Sequence, residues 1–81
     1  ALSFHIPANS ITPRQTVENY SKNVSRWAIR IKGVFQTSEH VWEFFNWTRG
    51  DGVWSKLSSE SEGQLLIVIG HELKNVPKFN E

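Results

Sequence analysis

Three cations in the segment RWAIRIK fall at even-numbered positions: Arg26, Arg30 and Lys32. Trp and Ile residues alternate with them, and this period of two predicts a β-strand with the cations on one face and the apolar residues on the other. The segment VWSKL predicts another strand, which would bring Trp54 and Lys56 alongside them. Cations bind phosphates and aromatic rings stack on bases, so these five residues predict a single-stranded nucleic-acid interface.

The segment that follows, QTSEHVWEFFNW, indicates a second candidate surface. Read as a helix that begins at Thr37 or Ser38 and ends at a glycine near residue 50, it carries an aromatic face that includes Trp42. His40 and Trp47 point away from that face, and Trp47 either tucks under a loop or contacts a partner. Together with Arg49, they predict a docking surface on a subunit of a larger assembly, through this helix or through an open face of the sheet.

Arg49, Gly50 and Asp51 form the tripeptide that integrins recognise in adhesion proteins. They lie at a predicted turn, where Gly and Asp are ordinary residues. An adhesion ligand is therefore a remote alternative to the two binding functions above.

The residue types do not favour catalysis or metal binding. The chain has no cysteine, and the spacing of His5, His40 and His71 matches no metal motif. It contains no glycine-rich phosphate loop and no nucleophile motif. We expect a non-catalytic binding protein without a metal or cofactor.

The composition predicts one ordinary domain spanning residues 1–81, near the lower size limit for a core without disulfides. A core this small, with four Trp and five Phe, is also compatible with a homo-oligomer. No apolar run is long enough for a membrane helix. The absence of cysteine leaves the compartment open but favours an intracellular protein over a secreted one.

Charge is unevenly distributed along the chain. Residues 1–38 hold five of the nine Lys and Arg residues and a single acid, whereas residues 39–81 hold seven of the eight acids. This asymmetry suggests an anionic partner or the stacking of like chains, although the net charge of +1 argues mildly against nucleic acid.

The predicted elements give the order β-α-β-α-β-β. Residues 2–6 predict an edge strand, and a helix is expected from about Pro13 to Asn23 after a Thr12 cap. QLLIVI predicts a central strand buried on both faces, and residues 71–81 a short helix or a tail. The predicted fold is α+β, with a mixed four-stranded sheet and two helices packed on one face.

Overall fold

A computed structural model of the chain, described here for residues 1–79, has five strands and one α-helix. The strands form one sheet in the order β1-β5-β2-β3-β4, and every neighbouring pair is antiparallel. The prediction of a mixed four-stranded sheet with two helices is therefore wrong, because the fold is a mostly-β domain with the order β-α-β-β-β-β. The elements are β1 (Leu2–Ile6), α1 (Arg14–Val24), β2 (Ala28–Ser38), β3 (Val41–Thr48), β4 (Asp51–Lys56) and β5 (Gln64–Gly70), with one 3-10 turn at Leu73–Asn75.

The main correction concerns residues 41–48, which form strand β3 and not a helix. β2 continues to Ser38, and a tight turn through His40, with φ 63°, leads directly into β3. A second tight turn through Arg49 and Gly50 leads into β4, and both residues have positive φ. Positive φ at both central positions is what a type I′ hairpin turn needs. Aromatic residues favour strands, and in this segment that preference prevails over the helical spacing.

The predicted first helix is confirmed, with α1 spanning Arg14–Val24. Its docked side carries Val17, Tyr20 and Val24, all buried. Thr12 does not cap the helix, because its hydroxyl donates to the Gln64 side chain instead, at 2.8 Å. The edge strand β1 is also confirmed, and it pairs with β5.

The core lies between α1 and one face of the sheet. Its largest members from the sheet are Ile31 and Phe35 on β2, Phe45 and Trp47 on β3, and Leu66 on β5. Residues 76–79 pack on the same side, and the Phe79 ring lies against Tyr20 and Phe35. The last two residues of the predicted C-terminal helix or tail, 80 and 81, lie outside the described part of the chain.

Strand β5 is an inner strand with a neighbour on each side, as predicted, but it is not buried on both faces. Leu66 and Val68 point into the core, whereas Ile69 on the other face is 40% exposed.

Gln64, the first residue of β5, is buried and holds the loop before α1 in place. Its amide nitrogen donates to the carbonyls of Pro7 and Ser10, and its oxygen accepts from Thr12 and the Gln36 backbone.

Candidate nucleic-acid interface

One face of the sheet carries neither α1 nor residues 76–79, and we call it the open face. The strand register assigns each side chain to it, because residues paired across antiparallel strands share a face. One row crosses β1, β5, β2, β3 and β4 as His5, Leu65, Val34, Phe44 and Ser55. The neighbouring rows are Ser3, Ile67, Lys32, Asn46 and Val53, then Ile69, Arg30, Thr48 and Asp51.

Arg30 and Lys32 lie together on this open face, on the middle strand of the sheet. Two residues of a strand span about 7 Å, so their backbones are that far apart. Arg30 is exposed and Lys32 is half-buried. The acid Asp51 shares the Arg30 row but lies two strands away, about 10 Å across the sheet. No ion pair to either cation is formed within the described residues.

Two further arginines lie at the same end of the sheet as Arg30. Arg26 is exposed in the turn that leads into β2, with its guanidinium 4.9 Å from the centre of the Trp27 ring. Arg49 is exposed in the β3–β4 turn, directly after Thr48, which pairs with Arg30. We call Arg26, Arg30, Lys32 and Arg49 the basic group. The structure thus brings Arg49, predicted for a protein-docking surface, close to the predicted phosphate-binding residues.

Trp54 and Lys56 lie on the opposite face of the sheet from Arg30 and Lys32. Trp54 pairs with Phe45, and its ring centre is 4.6 Å from that of Phe45 on the core side. Lys56 pairs with Glu43 on the same side. Strand β3 also separates β4 from β2. Of the five residues of the predicted interface, Arg30 and Lys32 therefore lie on one face, Trp54 and Lys56 lie on the other, and Arg26 lies in a turn at the end of the sheet.

The residues of the predicted docking surface do not form one patch. Trp47 is only 5% exposed and belongs to the core, which resolves the alternative left open by the sequence in favour of a tucked indole. His40 is exposed in the β2–β3 turn, at the other end of β3 from Arg49.

The aromatic residues of the open face come from β3. Phe44 is half-buried and pairs with Val34 beside the cations, whereas Trp42 is 7% exposed. Sequence reasoning missed Phe44 as a site residue because the helical interpretation put it with Trp42 on the aromatic face of a helix and not on the sheet. The alternation of side chains along β3 places Phe44 on the open face, since Glu43, Phe45 and Trp47 all point the other way.

Glu43 is the buried acid of the core side, and Arg14 at the start of α1 pairs with it. Arg14 Nε donates to Glu43 Oε2 at 3.1 Å, a second guanidinium nitrogen bonds Oε1, and the Thr37 hydroxyl also donates to the carboxylate. The hydrogen bonds from Arg14 are the main reason that the pKa of Glu43 is lowered, and the carboxylate raises the pKa of Arg14 in return. The Arg14 guanidinium also lies 5.3 Å from the centre of the Trp54 ring. This cluster ties α1 to β3 and β4.

No group of three or more His, Cys, Asp or Glu side chains within residues 1–79 is placed to hold a metal ion. In the same part of the chain, no helix has the length and apolar character needed to cross a membrane. Comparison with models of protein families, with curated proteins and with solved structures found no significant match.

Proposed function

We propose that this protein is a non-catalytic binding module that holds a single strand of nucleic acid through the open face and the basic group. The observation that carries the proposal is the register of β2, which puts Arg30 and Lys32 together on the open face. Arg26 and Arg49 extend the positive charge along the adjacent end of the sheet. Phosphate groups are the natural counter-charge for four cations of which none has an acidic partner within residues 1–79.

Contacts to the bases would come from β3. Phe44 offers part of a ring beside Val34, and Asn46 next to Lys32 offers an exposed amide. Rings and amides on an open sheet face suit unpaired bases, which present both a stacking surface and hydrogen-bonding edges. With a single half-buried ring, the phosphate contacts supply most of the affinity, and binding depends strongly on salt.

A protein partner that binds the same face is the second candidate. The exposed aliphatic side chains of the open face favour it, since Val53 is 60% and Ile69 is 40% exposed. Half-exposed Ile67 and Leu65 on β5 extend this apolar area. Apolar contacts tolerate salt better than phosphate contacts do, so salt dependence separates the two candidates.

The test is fluorescence anisotropy of labelled oligothymidine titrated with the protein. The informative variant is Arg30→Gln with Lys32→Gln, and the matched control is Lys56→Gln with Lys74→Gln, which removes the same charge away from the open face. At about 0.7 kcal/mol for each exposed charge contact, the first variant should bind roughly tenfold more weakly than the natural chain. The control should bind nearly as tightly as the natural chain.

Equal weakening by both pairs would mean that net charge alone attracts the oligonucleotide. No binding by the natural chain would contradict the proposal. A mass above that of one chain or a salt-insensitive protein complex would then favour the second candidate.

A further inference from the structure

A cleft of about 280 Å³ lies on the core side of the sheet, between α1 and the β3–β4 hairpin. Its helix wall is formed by Glu18, Ser21 and Lys22, which lie on one side of α1. Its floor is formed by Phe45 and Trp47.

Two glycines, Gly50 and Gly52, line the hairpin side of this cleft. Gly52 takes a core-side position on β4 opposite Trp47, and it puts no side chain there. A Cβ at Gly52 would lie 2.8 Å from the Phe45 ring, so the ring occupies the space that a side chain would fill. Gly50 forms the rim, in the same turn as Arg49. The cleft therefore opens at the end of the sheet where the basic group lies.

The polar groups of the cleft can still bind a ligand, because their hydrogen-bonding and ion-pairing capacity is not exhausted. Trp54 Nε1 donates to Glu18 Oε2 at 3.1 Å, which fixes the carboxylate. A carboxylate oxygen accepts more than one hydrogen bond, so Glu18 retains acceptor capacity. Within residues 1–79, Glu18 and Lys22 form no ion pair with each other although they are one turn apart. The cleft thus presents an oriented acceptor and, at its edge, a cation.

We propose that this cleft receives one unstacked base of the bound strand, and that it selects a base with adjacent N–H donors, as guanine has. This inference rests on the proposed function, because Arg49 links the open face to the mouth of the cleft. A volume of 280 Å³ equals that of about nine water molecules at roughly 30 Å³ each, which suits a purine. The two donors of guanine match one carboxylate, and Lys22 is placed to meet the phosphate of the same nucleotide.

The test compares oligothymidine with the same oligomer carrying one central deoxyguanosine, by anisotropy at a fixed salt concentration. The natural chain should bind the guanine-containing oligomer about tenfold more tightly, in line with a bidentate base contact. Glu18→Gln should reduce this ratio to about twofold. Glu39→Gln, a control at an exposed acid in the β2–β3 turn, should leave it unchanged. Because each ratio is taken within one variant, a change in stability cancels.

A second measurement uses guanosine, which has no phosphate and therefore tests the cleft without the basic group. In amide NMR spectra, guanosine should shift Gly50 and Gly52 and leave Gly63, in the β4–β5 loop, unmoved. Oligothymidine binding without a preference for guanine, together with unmoved Gly50 and Gly52, would overturn the cleft inference and leave the proposed function standing. No oligothymidine binding would overturn the proposed function, and the guanosine spectra would then show separately whether the cleft binds the base.

Discussion

Replacing Arg14 by alanine tests whether the buried acid Glu43 holds α1 to the sheet. The change removes both guanidinium hydrogen bonds and leaves Glu43, which is 3% exposed, with the Thr37 hydroxyl as its one hydrogen-bond donor among the described residues. It also removes the stacking of Arg14 on Trp54. A control exists in Arg26→Ala, because Arg26 likewise lies over an indole but forms no ion pair within residues 1–79.

The expected cost follows from how buried each partner is. Breaking a fully buried pair costs about 3–5 kcal/mol, and losing an exposed pair costs about 0–1 kcal/mol. The Glu43 side chain is 4% exposed but that of Arg14 is 50% exposed, so we expect about 2 kcal/mol for the pair, between those limits. Stacking adds about 0.5 kcal/mol, which Arg26→Ala should also lose. The two variants should therefore differ by about 2 kcal/mol in the free energy of unfolding at pH 7.

The difference should depend on pH in one direction. The pKa of Arg14 is raised, so the guanidinium stays charged at every pH of interest. The pKa of Glu43 is lowered below its usual 4.5, so the pair stabilises the folded state above about pH 4.5. That stability is lost as the pH falls through the folded-state pKa of Glu43.

Urea unfolding followed by tryptophan fluorescence, at several pH values between 3 and 7, measures both effects. The gap between Arg14→Ala and the natural chain should narrow as the solution is acidified. A gap that stays constant over this range, or that is no larger than the Arg26→Ala effect, would refute the claim that Glu43 holds the helix.

Three further predictions concern single positions. Gly52→Ala should destabilise the fold by about 1–3 kcal/mol, because the new Cβ meets the Phe45 ring at 2.8 Å. Gly63→Ala, which meets open space, should change the free energy of unfolding by less than about 0.5 kcal/mol in the same urea assay. Gln64→Leu should cost about 3 kcal/mol, because the Thr12 hydroxyl, the Gln36 N–H and the Ser10 carbonyl each lose the Gln64 amide as their partner. Burial raises the pKa of Tyr20 to about 12, so ultraviolet absorbance should show no phenolate at pH 10, where an unperturbed tyrosine is about half ionised.

Each of these has a result that would count against it. Equal effects of the two glycine substitutions would mean that Phe45 moves aside without cost. A small effect of Gln64→Leu on the free energy of unfolding would show that water or a backbone shift provides new hydrogen bonds for the polar groups that Gln64 had bonded. A Tyr20 phenolate at pH 10 with the fold intact would mean that the hydroxyl is open to solvent.

The elements that local chemistry specifies could be predicted from the sequence. Helix α1 follows from Pro13 and the spacing of Val17, Tyr20 and Val24, and the structure places it within one residue of the predicted range. The cations of β2 alternate cleanly, so the common face of Arg30 and Lys32 could also be predicted. In both cases the pattern involves residues close together in the chain.

Strand β3 could not be predicted in this way because its apolar residues fall on both faces. Trp42 and Phe44 point to one side, Phe45 and Trp47 to the other, and the only acid, Glu43, points into the core. That inward acid is stabilised by Arg14, which lies 29 residues earlier. No local window contains both partners, so nothing near Glu43 in the sequence indicates that it is paired and buried.

The length of the β3–β4 turn determines the face of the sheet on which Trp54 and Lys56 lie. The β3–β4 register pairs Thr48 with Asp51, so Arg49 and Gly50 alone form the turn. The length of this turn sets the face of the sheet on which each side chain of β4 lies. A one-residue change in the turn would exchange the two faces. Without β3 recognised as a strand, the sequence held no basis for that assignment.

The most direct test of the proposed function is the salt dependence of oligothymidine binding. Each phosphate of a single strand that a cation neutralises adds about 0.7 to the steepness of log K plotted against log salt concentration. Arg30→Gln with Lys32→Gln should therefore reduce the steepness of this slope by about 1.4, whereas Lys56→Gln with Lys74→Gln should leave it unchanged. Equal slopes for the natural chain and the Arg30, Lys32 variant would contradict the account, because the cations of the open face would then make no contact with phosphate.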